Sequence, residues 1–157
     1  DFIDKNHQLC TDLGSGSGLP GVVLAIIMKN KKSKMKFHLY EKSYKKSKFL
    51  KYVAQKLDLN IDVIQKDIFE VTNLKSDIIV ARAFKPIPII LDLINSNFSK
   101  YNNIILFLGK NGKQLLSKSL KKWNFECEER KSLTNEESSV VKIFNLKKKW
   151  KQKLYQW

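Results

Sequence analysis

Glycine stands at every second position from Gly14 to Gly18, within Asp12-Leu13-Gly14-Ser15-Gly16-Ser17-Gly18-Leu19-Pro20-Gly21. Such a stretch extends neither a strand nor a helix, so it must be a turn between two elements. The run Leu9 to Leu13 delivers Asp12 into it, and Val22-Val23-Leu24-Ala25-Ile26-Ile27 leaves it as a helix opening at Leu19-Pro20. Glycine reaches φ > 0 without strain and removes Cβ atoms where a flat ligand must lie against backbone. Pro20 suits a first helical turn, where its missing N–H would be unpaired anyway. Free N–H groups at a helix start can hold a carboxylate or phosphate. Strand, glycine loop and helix together predict a nucleotide-type cofactor site; a plain glycine-rich turn is the competing reading.

The next strand, Lys36 to Tyr40, ends at Glu41, roughly 20 residues past the loop, where an acid would meet ribose hydroxyls. Strand-like and helix-like patterns then alternate. Tyr44 to Leu57 puts Phe49, Leu50, Val53 and Leu57 on one helical face and lysines on the other. Ile61 to Ile64 reads as a strand ending near Asp67, and Ile78 to Ala81 as a buried central strand. Pro86 and Pro88 lead into a short helix, Ile89 to Asn95; Ile104 to Leu108 is a second buried strand, broken by Gly109. Leu116, Leu120 and Trp123 fall at helical spacing, and Phe125 to Leu133 with Val140 to Leu146 read as a closing pair of strands. This alternation predicts a doubly wound α/β sheet with ligands at the carboxyl ends of its strands. Residues 1–146 form the expected domain. Residues 147–157 form a basic tail in which Trp150, Leu154, Tyr155 and Trp157 interleave with lysines; it suits RNA contact, helix packing on the sheet, or a frayed end.

Lysine and arginine total 30 against 15 acids, a net charge of +15, which favours polyanions and a steep salt dependence of any nucleic-acid binding. A chain crowded with Lys, Asn and Ile also fits simple AT-rich codon bias. Only Arg82 and Arg130 are arginine, so Arg82 stands out as a place where a planar, bidentate fork is wanted. Cys10 and Cys127 lack metal spacing and read as small buried residues in a reducing cytoplasm. His7 and His38 have no partnering ligands in sequence, so no metal is expected. No run approaches the ~20 apolar residues that span a bilayer, and no signal peptide is visible. The expected location is cytoplasmic, without membrane contact, and the expected state a monomer. The chain begins at Asp1 rather than methionine and reads as trimmed ahead of its first strand.

Asp-x-Gly-x-Gly-x-Gly after a strand resembles the first motif of class I methyltransferases. Three stretches together resemble one family among them, the bacterial small-subunit rRNA guanine-N7 methyltransferases known as RsmG or GidB. They are the loop (Asp12, Gly14, Ser15, Gly16, Gly18, Pro20, Gly21), the segment Glu41 to Leu50 with its basic pair Lys45-Lys46 and Phe49-Leu50, and Arg82-Ala83-Phe84 after the central strand. Ala81 stands where the family has serine, and Leu108-Gly109-Lys110 replaces its Leu-Lys-Gly. The helical segment that the family carries ahead of the loop is essentially absent.

The resemblance implies a mostly parallel seven-stranded sheet of the class I, Rossmann-like type, S-adenosyl-L-methionine as cofactor, and 16S rRNA of the small ribosomal subunit as partner. It implies cofactor contacts at Asp12, Gly14, Ser15, Gly16, Gly18, Pro20, Glu41, Asp67 and Arg82. Catalytic roles fall to Arg82 and Lys110, and RNA contact to Lys45, Lys46 and Arg82. The chemistry is compatible: guanine N7 carries a free lone pair, so attack on the sulfonium methyl needs alignment rather than a base. No Asn-Pro-Pro-Tyr-like motif follows Val80, and neither cysteine lies beside the expected site, which disfavours exocyclic-amine and cytosine-C5 methylation. Arg82 sits where an acceptor motif would fall, suited to guanine O6, a flanking phosphate or a bracing carboxylate. Rival readings are a class I methyltransferase with another RNA or a protein acceptor, a non-catalytic RNA-binding remnant, and, with unsuitable glycine spacing, a nicotinamide oxidoreductase.

Overall fold

In a computed structural model, which describes residues 2–149, strand β1 (Leu9–Leu13) is followed by α1 (Gly21–Asn30), β2 (Lys36–Tyr40), α2 (Tyr44–Lys56) and β3 (Ile61–Ile64). A 3₁₀ turn (Ile68–Glu70) and a two-residue strand β4 (Leu74–Lys75) precede β5 (Ile78–Arg82) and α3 (Ile87–Asn97). Then come β6 (Phe98–Lys100), β7 (Asn103–Leu108), α4 (Gly112–Ser119), β8 (Trp123–Lys131) and β9 (Ser139–Lys148). The main sheet has seven strands in the order β3-β2-β1-β5-β7-β9-β8. Strands β3 to β7 along that order run parallel, while β9 is antiparallel to β7 and to β8.

Strand β5 is apolar at each of its first four positions because helices cover both faces of the sheet. Ile78 and Val80 join one buried cluster with Cys10, Phe37, Leu39 and, from α1 and α2, Val22, Ala25, Met28 and Leu50. Ile79 and Ala81 join the other, with Leu13, Leu106 and, from α3, Ile87, Ile90, Leu91 and Ile94. The chain winds outward from β1 through β2 to β3, then returns to build β5 and β7 on the other side. Strands β1 and β5 are therefore neighbours across the switch point, where ligands gather in sheets of this kind.

Several elements differ from the sequence pattern. Phe49 and Leu57 are exposed rather than inward; α2 buries Ser47, Leu50 and Ala54 instead. Helix α3 begins two residues before Ile89, since Pro88 is tolerated within the first turn, where no intrahelical donor is lost. Trp123 is the first residue of β8, not the end of a helix, and is fully buried. Strand β9 runs to Lys148, two residues into the segment read as a tail; Trp150, Leu154, Tyr155 and Trp157 lie outside the described residues. Cys127 is exposed, whereas Cys10 is buried. The small parallel pair β4–β6 carried no sequence signal. No described helix is long and apolar enough to cross a membrane.

Candidate functional site

A cavity of about 590 Å³ opens at the carboxyl ends of β1, β2, β3 and β5. Its lining comes from four connections: Gly14 to Ser17 and Leu19 after β1, Glu41, Lys42 and Lys46 after β2, Lys66 to Phe69 after β3, and Arg82 to Lys85 after β5. Tyr40 completes it.

The glycines serve two different ends. Gly14 has φ +65°, and a Cβ there would lie 2.2 Å from Cδ2 of Phe84, so this glycine admits the Phe84 ring. Gly16 has φ +57°, and its Cβ would point into open space, with the Gly14 carbonyl 3.9 Å away as the one neighbour within contact distance. The floor of the cavity is thus bare backbone with room above it. Gly18 (φ +98°) is buried away from the lining, closed down on Val22 and Leu50.

Two buried carboxylates hold this loop. Glu41, 8% exposed, accepts from Gly16 N–H through Oε2 (2.9 Å) and from Ser43 N–H through Oε1 (2.8 Å), while still lining the cavity. Each oxygen keeps a lone pair free, so the group can order the loop and still accept from a ligand hydroxyl. Asp12, 1% exposed, lies behind the lining: Oδ2 accepts from Gly21 N–H at 3.1 Å, and Oδ1 has no hydrogen-bond partner among the described residues. Burial pushes its carboxyl up to about 7, against the lowering effect of the Ser15 hydroxyl and the Gly21 N–H. Of the alternatives of ordering the loop and meeting a ligand amine, the geometry gives Asp12 the first. Ser15 lines the cavity, fixed by N–H donation to the Tyr40 carbonyl (2.9 Å). Pro20 is buried at the start of α1, outside the lining.

Asp67 caps the 3₁₀ turn, accepting from Phe69 N–H at 3.2 Å, and Lys42 approaches its Oδ2 at 3.4 Å. The turn is held from beneath by Asn97 of α3, whose amide nitrogen donates to the carbonyls of Ile68 (3.2 Å), Phe69 (3.3 Å) and Val71 (2.7 Å). Across the opening, Ala83 adopts φ +48°, a left-handed turn that costs a non-glycine residue about 1 kcal/mol or more. That turn seats Phe84 between Gly14 and Phe69, with the two rings stacked at 6.0 Å. Arg82 is exposed on the lining, and among the described residues it has no carboxylate partner. A bracing ion pair is therefore not its role here.

Lys46 lines the cavity, whereas Lys45 on the same helix does not. Lys110 also lies outside the lining: it follows β7 and pairs with Glu137 at 2.9 Å, on the turn between β8 and β9. Sequence reasoning missed Lys66, Phe69 and Lys85, and gave Phe84 no role. The left-handed turn that aims Phe84 is carried by an alanine, which gives no sign of φ > 0. Among the described residues no group of three His, Cys, Asp or Glu side chains converges as metal ligands.

Residues 1–143 match the family model for rRNA small subunit methyltransferase G. Proteins named ribosomal RNA small subunit methyltransferase G are similar over most of the chain. That of Pelagibacter ubique is 50% identical over 95% of this chain and 70% of its own length. That of Caulobacter vibrioides is 38% identical over 86% of this chain and 62% of its own length. Among solved structures, the ribosomal protein L11 methylase of Lactobacillus delbrueckii superposes with a TM-score of 0.61 at 20% identity, over 86% of this chain and 68% of that one. TrmK of M. capricolum, in complex with S-adenosyl-homocysteine, gives 0.62 at 16% identity, over 89% and 62%. At these identities the superpositions report the fold alone, an α/β sheet of the class I methyltransferase type.

Proposed function

Since this chain belongs to the rRNA small subunit methyltransferase G family, we propose that it transfers a methyl group from S-adenosyl-L-methionine to N7 of a guanosine in 16S rRNA. The observation that carries this reading is the cavity at the switch point, with a bare glycine floor, a buried acid at the end of β2 and an exposed arginine at the end of β5.

The residues present fit the cofactor. A side chain at position 16 would enter the space above the loop, so a glycine there keeps room for a ligand lying on the backbone. Glu41 accepts from the ribose hydroxyls with the lone pairs that Gly16 and Ser43 leave free. Asp67 and the walls Ile68 and Phe69 take the adenine end. When bound, the cofactor supplies an electrophilic sulfonium methyl.

The protein's own part is positioning. Guanine N7 has a lone pair in its neutral form, so no side chain must remove a proton first; the chain aligns nucleophile and methyl and excludes water. Arg82 approaches the acceptor from the opposite wall and donates to guanine O6 or the flanking phosphate, leaving N7 free to react.

The first test is calorimetric titration with S-adenosylhomocysteine, with NAD as comparator. Micromolar binding of the former alone is expected; tighter binding of NAD overturns the reading. Mapping the methylated base after incubation with small subunits lacking the modification then distinguishes N7 of guanosine from any other acceptor.

A further inference from the structure

One buried polar group in the cavity wall has no partner among the described residues. Tyr40, the last residue of β2, is 5% exposed and lines the cavity. Its backbone is engaged, since the carbonyl accepts from Ser15 N–H at 2.9 Å. Its hydroxyl makes no hydrogen bond to any described residue. Among those residues, the enclosed side-chain polar atoms left without a partner are Asp12 Oδ1 and Trp123 Nε1. The Tyr40 hydroxyl is not one of them, so it is open rather than sealed in the core, and the opening this residue lines is the cavity. A buried tyrosine hydroxyl ordinarily has a hydrogen-bond partner. One that ends at a cavity is completed by what enters it.

Strand alternation decides which part of the ligand it meets. Leu39 packs into the cluster beneath α1 and α2, so Tyr40 turns to the opposite face, into the cluster that holds Ile68 and the apolar side of α3. Ile68 belongs to the wall given to adenine above. Glu41, the next residue, turns back to the glycine loop and the ribose. A carboxylate only accepts, so Asp67 suits the exocyclic amine of adenine and leaves the ring nitrogens, which are acceptors, without a donor. Lys66 lines the same side but is exposed, where an ammonium stays hydrated. Burial pushes the Tyr40 phenol up from its ordinary value, so at neutral pH the group is a protonated donor.

We propose that the Tyr40 hydroxyl donates to a ring nitrogen of the cofactor's adenine and so selects that base over one lacking an acceptor at the same place. The proposal rests on the S-adenosylmethionine reading above. It adds a specificity-determining residue at a position where the sequence pattern shows only the end of a strand.

Tyr40→Phe removes the hydroxyl and keeps the ring. Calorimetry with S-adenosylhomocysteine, and with methylthioadenosine, which lacks the amino-acid half, should show the same loss for both ligands. A loss of about three- to tenfold is expected for one neutral hydrogen bond. The second comparison uses the deaza forms of S-adenosylhomocysteine, each with one ring nitrogen replaced by C–H. One of them should bind parent and variant equally, because its acceptor is gone. The Tm of the ligand-free variant should match the parent's; where it falls, the deaza comparison still decides, since a purely structural defect is blind to which ring nitrogen is missing. Parental affinity in Tyr40→Phe, a loss confined to S-adenosylhomocysteine, or an undiminished loss with every deaza form overturns the proposal alone. A parent that binds neither S-adenosylhomocysteine nor methylthioadenosine overturns the methyltransferase reading, and the proposal with it.

Discussion

Asp12 shows how one residue can be required and still costly. Its side chain is buried and accepts from Gly21 N–H, yet one oxygen has no partner among the described residues. The native carboxyl titrates at about 7 against 3.8 for an ordinary aspartate, so between those values the folded chain holds a proton that the unfolded chain has lost. Stability contributed at this site is therefore greatest below about pH 4 and is lost as pH rises through about 7, by about 4 kcal/mol when the group is fully ionised. Asp12→Asn keeps an acceptor for Gly21 and removes the charge. Urea unfolding should find the variant equal to the parent near pH 4 and increasingly favoured toward pH 8; parallel curves would show that Asp12 does not titrate in this range. The glycines separate in the same way. Gly14→Ala must displace Phe84 and should lose about 1–3 kcal/mol of stability. Gly16→Ala carries a similar backbone strain but aims its methyl into the cavity, so its larger effect should be on S-adenosylhomocysteine affinity, read by calorimetry. Arg82→Lys keeps the charge and loses the fork; transfer to small subunits should fall at least tenfold, and full activity would end the argument for bidentate contact.

At the scale of elements, what shapes the site is how neighbouring elements brace one another. The 3₁₀ turn bearing Asp67 and Phe69 is too short to hold itself. Asn97, the last residue of α3 and 7% exposed, donates through one amide to the carbonyls of Ile68 and Phe69 and of Val71 just after the turn. Asn97→Leu should cost about 1–3 kcal/mol, because the carbonyls of Phe69 and Val71 lose this donor while that of Ile68 keeps the Val71 N–H. It should also weaken S-adenosylhomocysteine binding although position 97 is outside the cavity lining; unchanged affinity would mean the turn keeps its shape unaided. Helix α2 teaches a different lesson about reading faces. Its pattern of Phe49, Leu50, Val53 and Leu57 suggested an apolar stripe, but the sheet meets the side bearing Ser47, Leu50 and Ala54. Small residues let a helix approach a sheet closely, and no periodicity in large apolar residues reports that.

Across the whole molecule, the cavity joins the connections after β1, β2, β3 and β5, so a ligand there ties both halves of the sheet together. S-adenosylhomocysteine at a hundred times its Kd should add about 2.7 kcal/mol and raise Tm by about 5–10 °C, with no shift from NAD. Much of this architecture was legible in the chain. Continuous apolar runs at Ile78–Ala81 and Ile104–Leu108 read as buried strands when helical patterns flank them, and alternate glycines after a strand read as a turn. The bounds of β1, β2 and β3 follow from the same local rules. The residues that face one another across the cavity did not follow. Phe84 reaches Gly14 through an alanine in a left-handed turn, Lys66 and Lys85 line one cavity from the ends of β3 and β5, and Lys110 pairs with Glu137 outside it. Periodicity and backbone sterics act within a few residues, so the sequence by itself determined most of the main-sheet elements, their alternation and the glycine loop. Which side chains converge depends on strand order and on the path of each connection, and that only the tertiary structure decided.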